Sequence, residues 1–375
     1  MGVACDEVKN AFNVKLEHLD RVPLPAVKAP AESADWIVLD SRANASYAVV
    51  FGLLKEKAEV WRTKGALTVG GFEAAAGSFL IKNSPAVAKS LPGLLGKWHL
   101  EARTLADAAS VPKSPLGNPR LALYQSWRSS MDEGWTRYLF DDMGIPYATL
   151  HNADFKPAKD AAKDAKVNLK DKYDVIVFAD EMYDIIKTGK PNPTSEYARF
   201  MGSVWPPEYE GGLEQMGVDA LKAFVEQGGI LVTLNNACEL VFKEFQPPAR
   251  NALEKVDRTK FFCPSSLLRI EVDNQTPIGY GMPAEAAAMF SRSLALDTWL
   301  PPYDWDRKVV ASYPRDNILL SGWLLGEDQI ARKAAVVDTS YKKGRVVLIG
   351  FHCQYRAESY GTYKFLLNAL LYPGQ

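Results

Sequence analysis

Histidine and cysteine are scarce in this chain, and their scatter excludes several chemistries at once. The four histidines, His18, His99, His151 and His352, form no His-x-x-Glu pair and no pair at ligand spacing. Zinc-dependent hydrolysis needs three protein ligands beside an open coordination position and a general base. Neither a metal centre nor a cofactor is therefore expected. Cys5, Cys238, Cys263 and Cys353 lie far apart with no CxxC pair, which argues against a disulfide framework or a thiolate zinc site and for buried free thiols. No apolar run approaches the roughly 20 residues that span a bilayer. The opening MGVACDEVKNAFNVKLEHLD has no charged start followed by an apolar stretch, so neither a membrane span nor an export signal is expected. Charge of one sign is also missing: 44 basic residues face 45 acidic ones. That balance offers nucleic acid or an anionic membrane no attracting field.

What remains is an ordinary globular composition, 47% apolar and 24% charged over 375 residues, long enough for two or three domains at roughly 150 residues each. Residues 1–34 are extended and dotted with proline, a lead-in segment. Residues 35–108 read as a small α/β domain: ADWIVLD, EVWRT and GSFLIKN as strands, SYAVVFGLLKEKA as a helix, and AVAKSLPGLLGKW as an interrupted helix behind Ser84 and Pro85. The prolines and small residues of 109–119 mark a linker. Residues 120–375 carry strands without alternation (RLALYQSW, YDVIVFAD, GILVTLN) separated by helices. That pattern predicts a doubly wound, mostly parallel sheet covered on both faces. Ser130 with Glu133 predicts a capping box on a helix closed by Gly144. Residues 246–316 read as an insertion or excursion from the sheet, with SLLRIEVDN as a strand and PAEAAAMF as a short helix. KAAVVDTSYKKGRVVLIGF predicts a hairpin, and GTYKFLLNALLY a closing helix.

Ligands of doubly wound sheets collect at the carboxyl ends of strands, which directs attention to the turn after GGILVTLN. A nucleophile elbow there would need small residues around a Ser or Cys. The five positions are Thr233, Leu234, Asn235, Asn236 and Ala237. The central carboxamide is not nucleophilic. The lead-in and the late strand GRVVLIGFHCQYRAE resemble the class I glutamine amidotransferase-like, flavodoxin-like fold. That resemblance puts His352 at the catalytic histidine and Gln354 where a glutamate would fall. With Asn235 and Gln354 in place, two of three catalytic positions are lost. Cys238, three residues on, is a substitute thiol near a helix start, although its apolar neighbours favour a core position.

Longer strings, among them ALYQSWRSSMDEGWTRYLFDDMGIPYATLHNADF, PPEYEGGLEQMGVDALKAFVEQGG and KGRVVLIGFHCQYRAESYGTYKFLLNALLY, resemble the C-terminal region of large bacterial zinc-carboxypeptidase-like proteins. The resemblance implies an accessory module that follows a metallopeptidase domain, with that upstream domain or another protein as partner. It also implies a periplasmic or extracellular setting.

Two function classes follow. One is a noncatalytic accessory or interaction module, a pseudoenzyme. The other is a small-molecule-binding or hydrolytic enzyme using the strand-end crevice with Asp132, Glu133, Cys238 and His352. Around that crevice Arg128, Ser129, Ser130, Asp132, Glu133 and Trp135 are candidates for ligand binding, because free amides at a helix start can hold an anion. Arg356, just beyond His352, is another. Trp205, Glu208 and Tyr209 in WPPEYEGG have the aromatic anchors of a partner surface.

Overall fold

The structure is a computed structural model that describes residues 7–22, 24, 27, 30, 34–157, 166–192, 206, 209–301 and 305–372. Trp205 and Glu208 lie outside the described residues.

The first part runs β1 (Trp36–Leu39), α1 (Asn44–Lys55), β2 (Val60–Thr63), β3 (Leu67–Val69), β4 (Phe72–Ala74), β5 (Phe79–Lys82), α2 (Pro85–Trp98), β6 (Arg103–Leu105) and β7 (Lys113–Leu116). Five of these strands form a sheet in the order β6-β1-β5-β2-β7, antiparallel at every pairing. β1 and β2 point the same way with β5 slotted between them. β7 falls inside the stretch read as a linker and pairs with β2 from Val60↔Leu116 to Thr63↔Lys113. α2 is continuous despite Pro92, with Ser84 accepting from the Val87 N–H at its start.

The second part runs β8 (Leu121–Tyr124), α3 (Met131–Met143), β9 (Ala148–Leu150), β10 (Val175–Phe178), α4 (Tyr183–Thr188), α5 (Glu214–Glu226), β11 (Ile230–Leu234), α6 (Cys238–Glu244), β12 (Ala249–Asn251), β13 (Ser266–Val272), β14 (Glu285–Phe290), β15 (Leu296–Thr298), β16 (Lys308–Ser312), β17 (Leu319–Ser321), β18 (Ala334–Tyr341), β19 (Gly344–Ile349) and α7 (Tyr363–Leu370). Parallel pairing joins β9, β8, β10, β11 and β19 in that spatial order. Renumbered from β8, the order is 2-1-3-4-5, the flavodoxin-like arrangement, whose direction of winding reverses between the first and third strands. Successive strand residues face opposite ways. Leu121, Leu123, Val175, Val177 and Val347 share a core with α1, α3 and α7. Ala122, Tyr124, Ile176, Phe178 and Leu348 share the other with α5 and α6. The sheet is thus α/β, doubly wound and mostly parallel in this segment, as its unbroken apolar strands predict.

Within the excursion expected at 246–316, SLLRIEVDN is a strand as read (β13), and further strands there extend the main sheet. β18 returns antiparallel to β19, and β16, β13 and β14 continue outward from it, making twelve strands among the described residues with the side pairings of β12, β15 and β17. The expected helix at PAEAAAMF is β14, paired with β13 from Glu285↔Glu271 to Phe290↔Ser266. Alanine favours helix only weakly, by tenths of a kcal/mol per residue. A neighbouring strand that pairs six residues overrides it.

One buried cation ties the two sheets together. Arg62 of β2 is 1% exposed. It donates to Gly77 O at 2.9 Å, to Tyr47 Oη at 3.0 Å and to Asn368 Oδ1 of α7, between the rings of Tyr47, Phe79 and Tyr280. Asn368 in turn donates to the carbonyls of Ile278 and Tyr280.

Candidate functional site

Between β8 and β10, where the winding reverses, the carboxyl ends of the strands release two loops, 125–130 and 179–182. The first leads into α3. Ser130 Oγ accepts the Glu133 N–H at 3.2 Å and donates to Asp180 O at 3.1 Å. The other half of the expected capping box is absent, because the Glu133 carboxylate turns to Arg137 one turn further on. A charged fork with two donors outcompetes a single backbone N–H. The cap leaves Asp132 facing the crevice.

The turn after β11 is sharp and carries Asn235 at its bend. Asn235 has φ +49°, in the left-handed region, and is completely buried. Asparagine tolerates that conformation better than most side chains. Its Nδ2 lies 3.1 Å from His352 Nε2, and the neighbouring Asp180 carboxylate takes the Asn236 backbone N–H at 2.9 Å. Asn235 Oδ1 is buried with no hydrogen-bond partner among the described residues.

His352 follows β19. Its Nδ1 meets Asp132 Oδ1 at 2.8 Å, and its Nε2 meets Ser291 O at 2.9 Å, with Asp180 Oδ2 3.9 Å away. Burial pushes the imidazole pKa down, but the Asp132 bond and the two carboxylate charges outweigh it and hold the pKa above the ordinary histidine value. Asp180 is raised, chiefly by burial, against the opposing pull of His352. Beside it, burial raises Glu181 to about 7 although Ser126 Oγ and the Met182 N–H bond its oxygens. The crevice is acidic, with one imidazole set between the carboxylates of Asp132 and Asp180.

Of the four residues expected to use this crevice, Asp132 and His352 meet, whereas Glu133 and Cys238 face away. Cys238 is fully buried, bonded to Thr233 and directed at the Ile349 carbonyl, and burial raises its thiol to about 12. A helix start cannot make a thiolate of a sulfur sealed in the core. Gln354 is buried against α3, donating to Thr136 Oγ1 at 2.6 Å. The carboxylate that meets His352 Nδ1 comes instead from Asp132, on a different element from Gln354.

The remaining candidates disperse. Ser129 is exposed, and Trp135 lies half-buried along α3 with its ring edge-on to Tyr138. Arg128 Nε donates to Gly189 O at 3.3 Å. An anion at this helix start would face Asp132 and Asp180, so the seat is electrostatically wrong for one. Arg356 is exposed, with its guanidinium over Tyr355. Tyr209, 42% exposed, meets Trp127 edge-on, and Trp127 stacks on His151 at 3.9 Å. Asp154 closes the turn after His151 by accepting its backbone N–H at 2.7 Å. Beside the crevice, a cavity of about 270 Å³ is lined by Leu267, Met289, Gly322 and Tyr355. Tyr355 meets His352 edge-on at 5.6 Å.

Sequence reasoning missed Asp180, Glu181 and Ser291. The first two had a signal, since YDVIVFAD ends a buried strand in a carboxylate at the place where ligands collect. Ser291 had none, because it contributes a backbone oxygen from the antiparallel extension. Among the described residues no helix is long and apolar enough to cross a membrane.

No protein-family model matches this chain, and no curated protein matches it either. Among solved structures it is similar to a ThuA-like protein of Bacteroides uniformis, at 16% identity over 67% of this chain and 89% of that one, with a TM-score of 0.36. A ThuA-like protein of Parabacteroides merdae is similar at 13% identity over 68% and 88%, TM-score 0.39. A GMP synthase component from Thermoplasma acidophilum is similar at 10% over 67% and 92%, TM-score 0.38. The fold assignment rests on strand order and parallel register.

Proposed function

We propose that this chain is a noncatalytic binding module, an amidotransferase-like α/β domain whose nucleophile position is occupied by an amide. The observation that carries the reading is Asn235, held at the elbow with its carboxamide against His352. Covalent acyl transfer needs an attacking oxygen or sulfur beside a base, and Cys238 lies sealed in the core behind it. The finer reading, from the sequence resemblance, is that the module belongs to the C-terminal region of a bacterial zinc-carboxypeptidase-like protein. Its partner is then the upstream metallopeptidase domain, with the loop around Tyr209 as a docking element.

Two measurements test this. Intact mass after incubation with a chloroketone analogue of glutamine is expected to show no adduct on the wild-type chain, and a stoichiometric adduct overturns the reading. Expressed with and without the upstream metallopeptidase region, the chain alone is expected to show no carboxypeptidase activity. The two parts together are expected to co-purify.

A second reading has one observation in its favour. Asp132 orients His352 as the acid of a triad orients its base, so the imidazole is equipped to take a proton from a bound hydroxyl or water without a covalent step. Hydrolysis of a small ester by the chain, abolished by His352→Gln, would favour it over the module.

A further inference from the structure

We propose that the strand-end crevice is a divalent transition-metal site, with His352, Asp180, Asn235 and the Ser291 carbonyl as ligands and Asp132 as the group that orients the imidazole. The proposal goes beyond the module reading and does not depend on it. The ligand-capable atoms of Asp132, Asp180 and His352 lie within 4.8 Å of one another. Two carboxylates beside one imidazole are not in themselves a site; two further features point to a cation.

The first is a conflict at His352 Nε2. Ser291 O at 2.9 Å requires that nitrogen to donate a proton, while Asn235 Nδ2 at 3.1 Å requires it to accept one. One ring nitrogen carries a proton or a lone pair, not both. The second is Asn235 Oδ1, a carbonyl oxygen in a completely buried side chain with no partner among the described residues. Burying such a group unpaired costs about 1–3 kcal/mol. Turning the carboxamide end for end brings Oδ1 to the place Nδ2 holds.

With the carboxamide turned, Nε2–H can serve both oxygens, and the Asp180 carboxylate 3.9 Å from Nε2 favours a cation in the place of that proton. The Nε2 lone pair goes to the metal, and Ser291 O and Asn235 Oδ1 become ligands instead of competitors. Asp180 Oδ2, 3.9 Å from Nε2, completes a set of one nitrogen and three oxygens. Bonds of about 2.1 Å at tetrahedral angles place neighbouring ligands about 3.4 Å apart, and the separations of 2.9, 3.1 and 3.9 Å straddle that value. Nδ1–H then donates to Asp132, the carboxylate–histidine–metal relay that fixes the tautomer in most such sites. An imidazole in the set selects Zn²⁺ or a neighbouring transition ion over Mg²⁺ and Ca²⁺.

The test uses the full chain, stripped with a chelator and titrated with Zn²⁺ by calorimetry while its thermal midpoint is followed. Expected are one Zn²⁺ per chain and a rise in midpoint that Mg²⁺ and Ca²⁺ do not produce. Asp180→Asn is expected to weaken binding at least about tenfold, with Asp132→Asn in the range of about 10- to 100-fold typical of orienting groups. Asn235→Asp, which adds charge at unchanged shape, is expected to tighten it. Circular dichroism in chelator checks that each variant is folded. Absence of saturable one-to-one binding, or wild-type affinity in both Asp180→Asn and Asn235→Asp, overturns the proposal. These titrations contain no substrate, so their failure is separate from that of the module reading, which adduct formation or turnover would overturn.

Discussion

Asn235→Cys puts a thiol at the turn after β11 and sets two effects of known sign against each other. Burial at this depth raises a thiol: Cys238, also fully buried, is pushed up to about 12, roughly three above an ordinary thiol. A neighbouring imidazolium lowers one, and a His-paired catalytic cysteine falls from about 8.5 to about 3.5, five units. Asp132 already holds His352 toward its protonated form, so the pair is expected to win by about two units. That leaves the new thiol near 6.5 and mostly ionised at neutral pH. The assay is the ultraviolet absorbance of thiolate against pH, taken as Asn235→Cys minus wild type, so that native cysteines cancel. A second arm adds His352→Gln, which is expected to return the thiol above 8.5, its ordinary value. A cysteine at φ +49° gives up the local tolerance of asparagine at a cost of about 1 kcal/mol. If the thiol titrates above its ordinary value in the single variant, or if His352→Gln leaves it unmoved, then the elbow and His352 do not form the pair described above.

Two further outcomes concern stability. Lys364 is 6% exposed and burial lowers its ammonium to about 8, against about 10.4 in an unfolded chain. The folded state therefore bears its full penalty below pH 8, about 3 kcal/mol at most, and sheds it as pH rises through 8 to above 10.4. Lys364→Met is expected to stabilise the protein at pH 7 by an amount of that order and to gain nothing above pH 10.4, read by urea denaturation at each pH. Arg62→Ala is expected to cost about 3–5 kcal/mol, from its cavity and from unpaired acceptors. Arg62→Met, which refills the space, is expected to recover part of it.

How far the sequence carried depends on where its information lay. β8, β10 and β11 were legible because four or five apolar residues in a row suit only a strand covered on both faces, and α3 because its start and stop are written locally in Ser130 and Gly144. β14 was not, since its alanines are indifferent and β13 decides for them. The site followed the same division. The inert elbow could be read from five consecutive residues, and His352 from its place after a late strand. The replacement of Gln354 by Asp132 could not, because it joins positions 220 residues apart and depends on how α3 lies over the sheet. Asp180 could have been marked as a strand-end carboxylate. The Ser291 carbonyl carries no side-chain signature at all.

Arg62 has a mechanical consequence. A guanidinium sealed between β2, Tyr280 and the last helix holds its place only while all three hold theirs, so levering the small sheet away would break its bonds and wet the rings packed around it. The two sheets cannot work as jaws that open and shut on a guest. Whatever grips one of them moves the other, and a ligand must be met by loops and side chains alone.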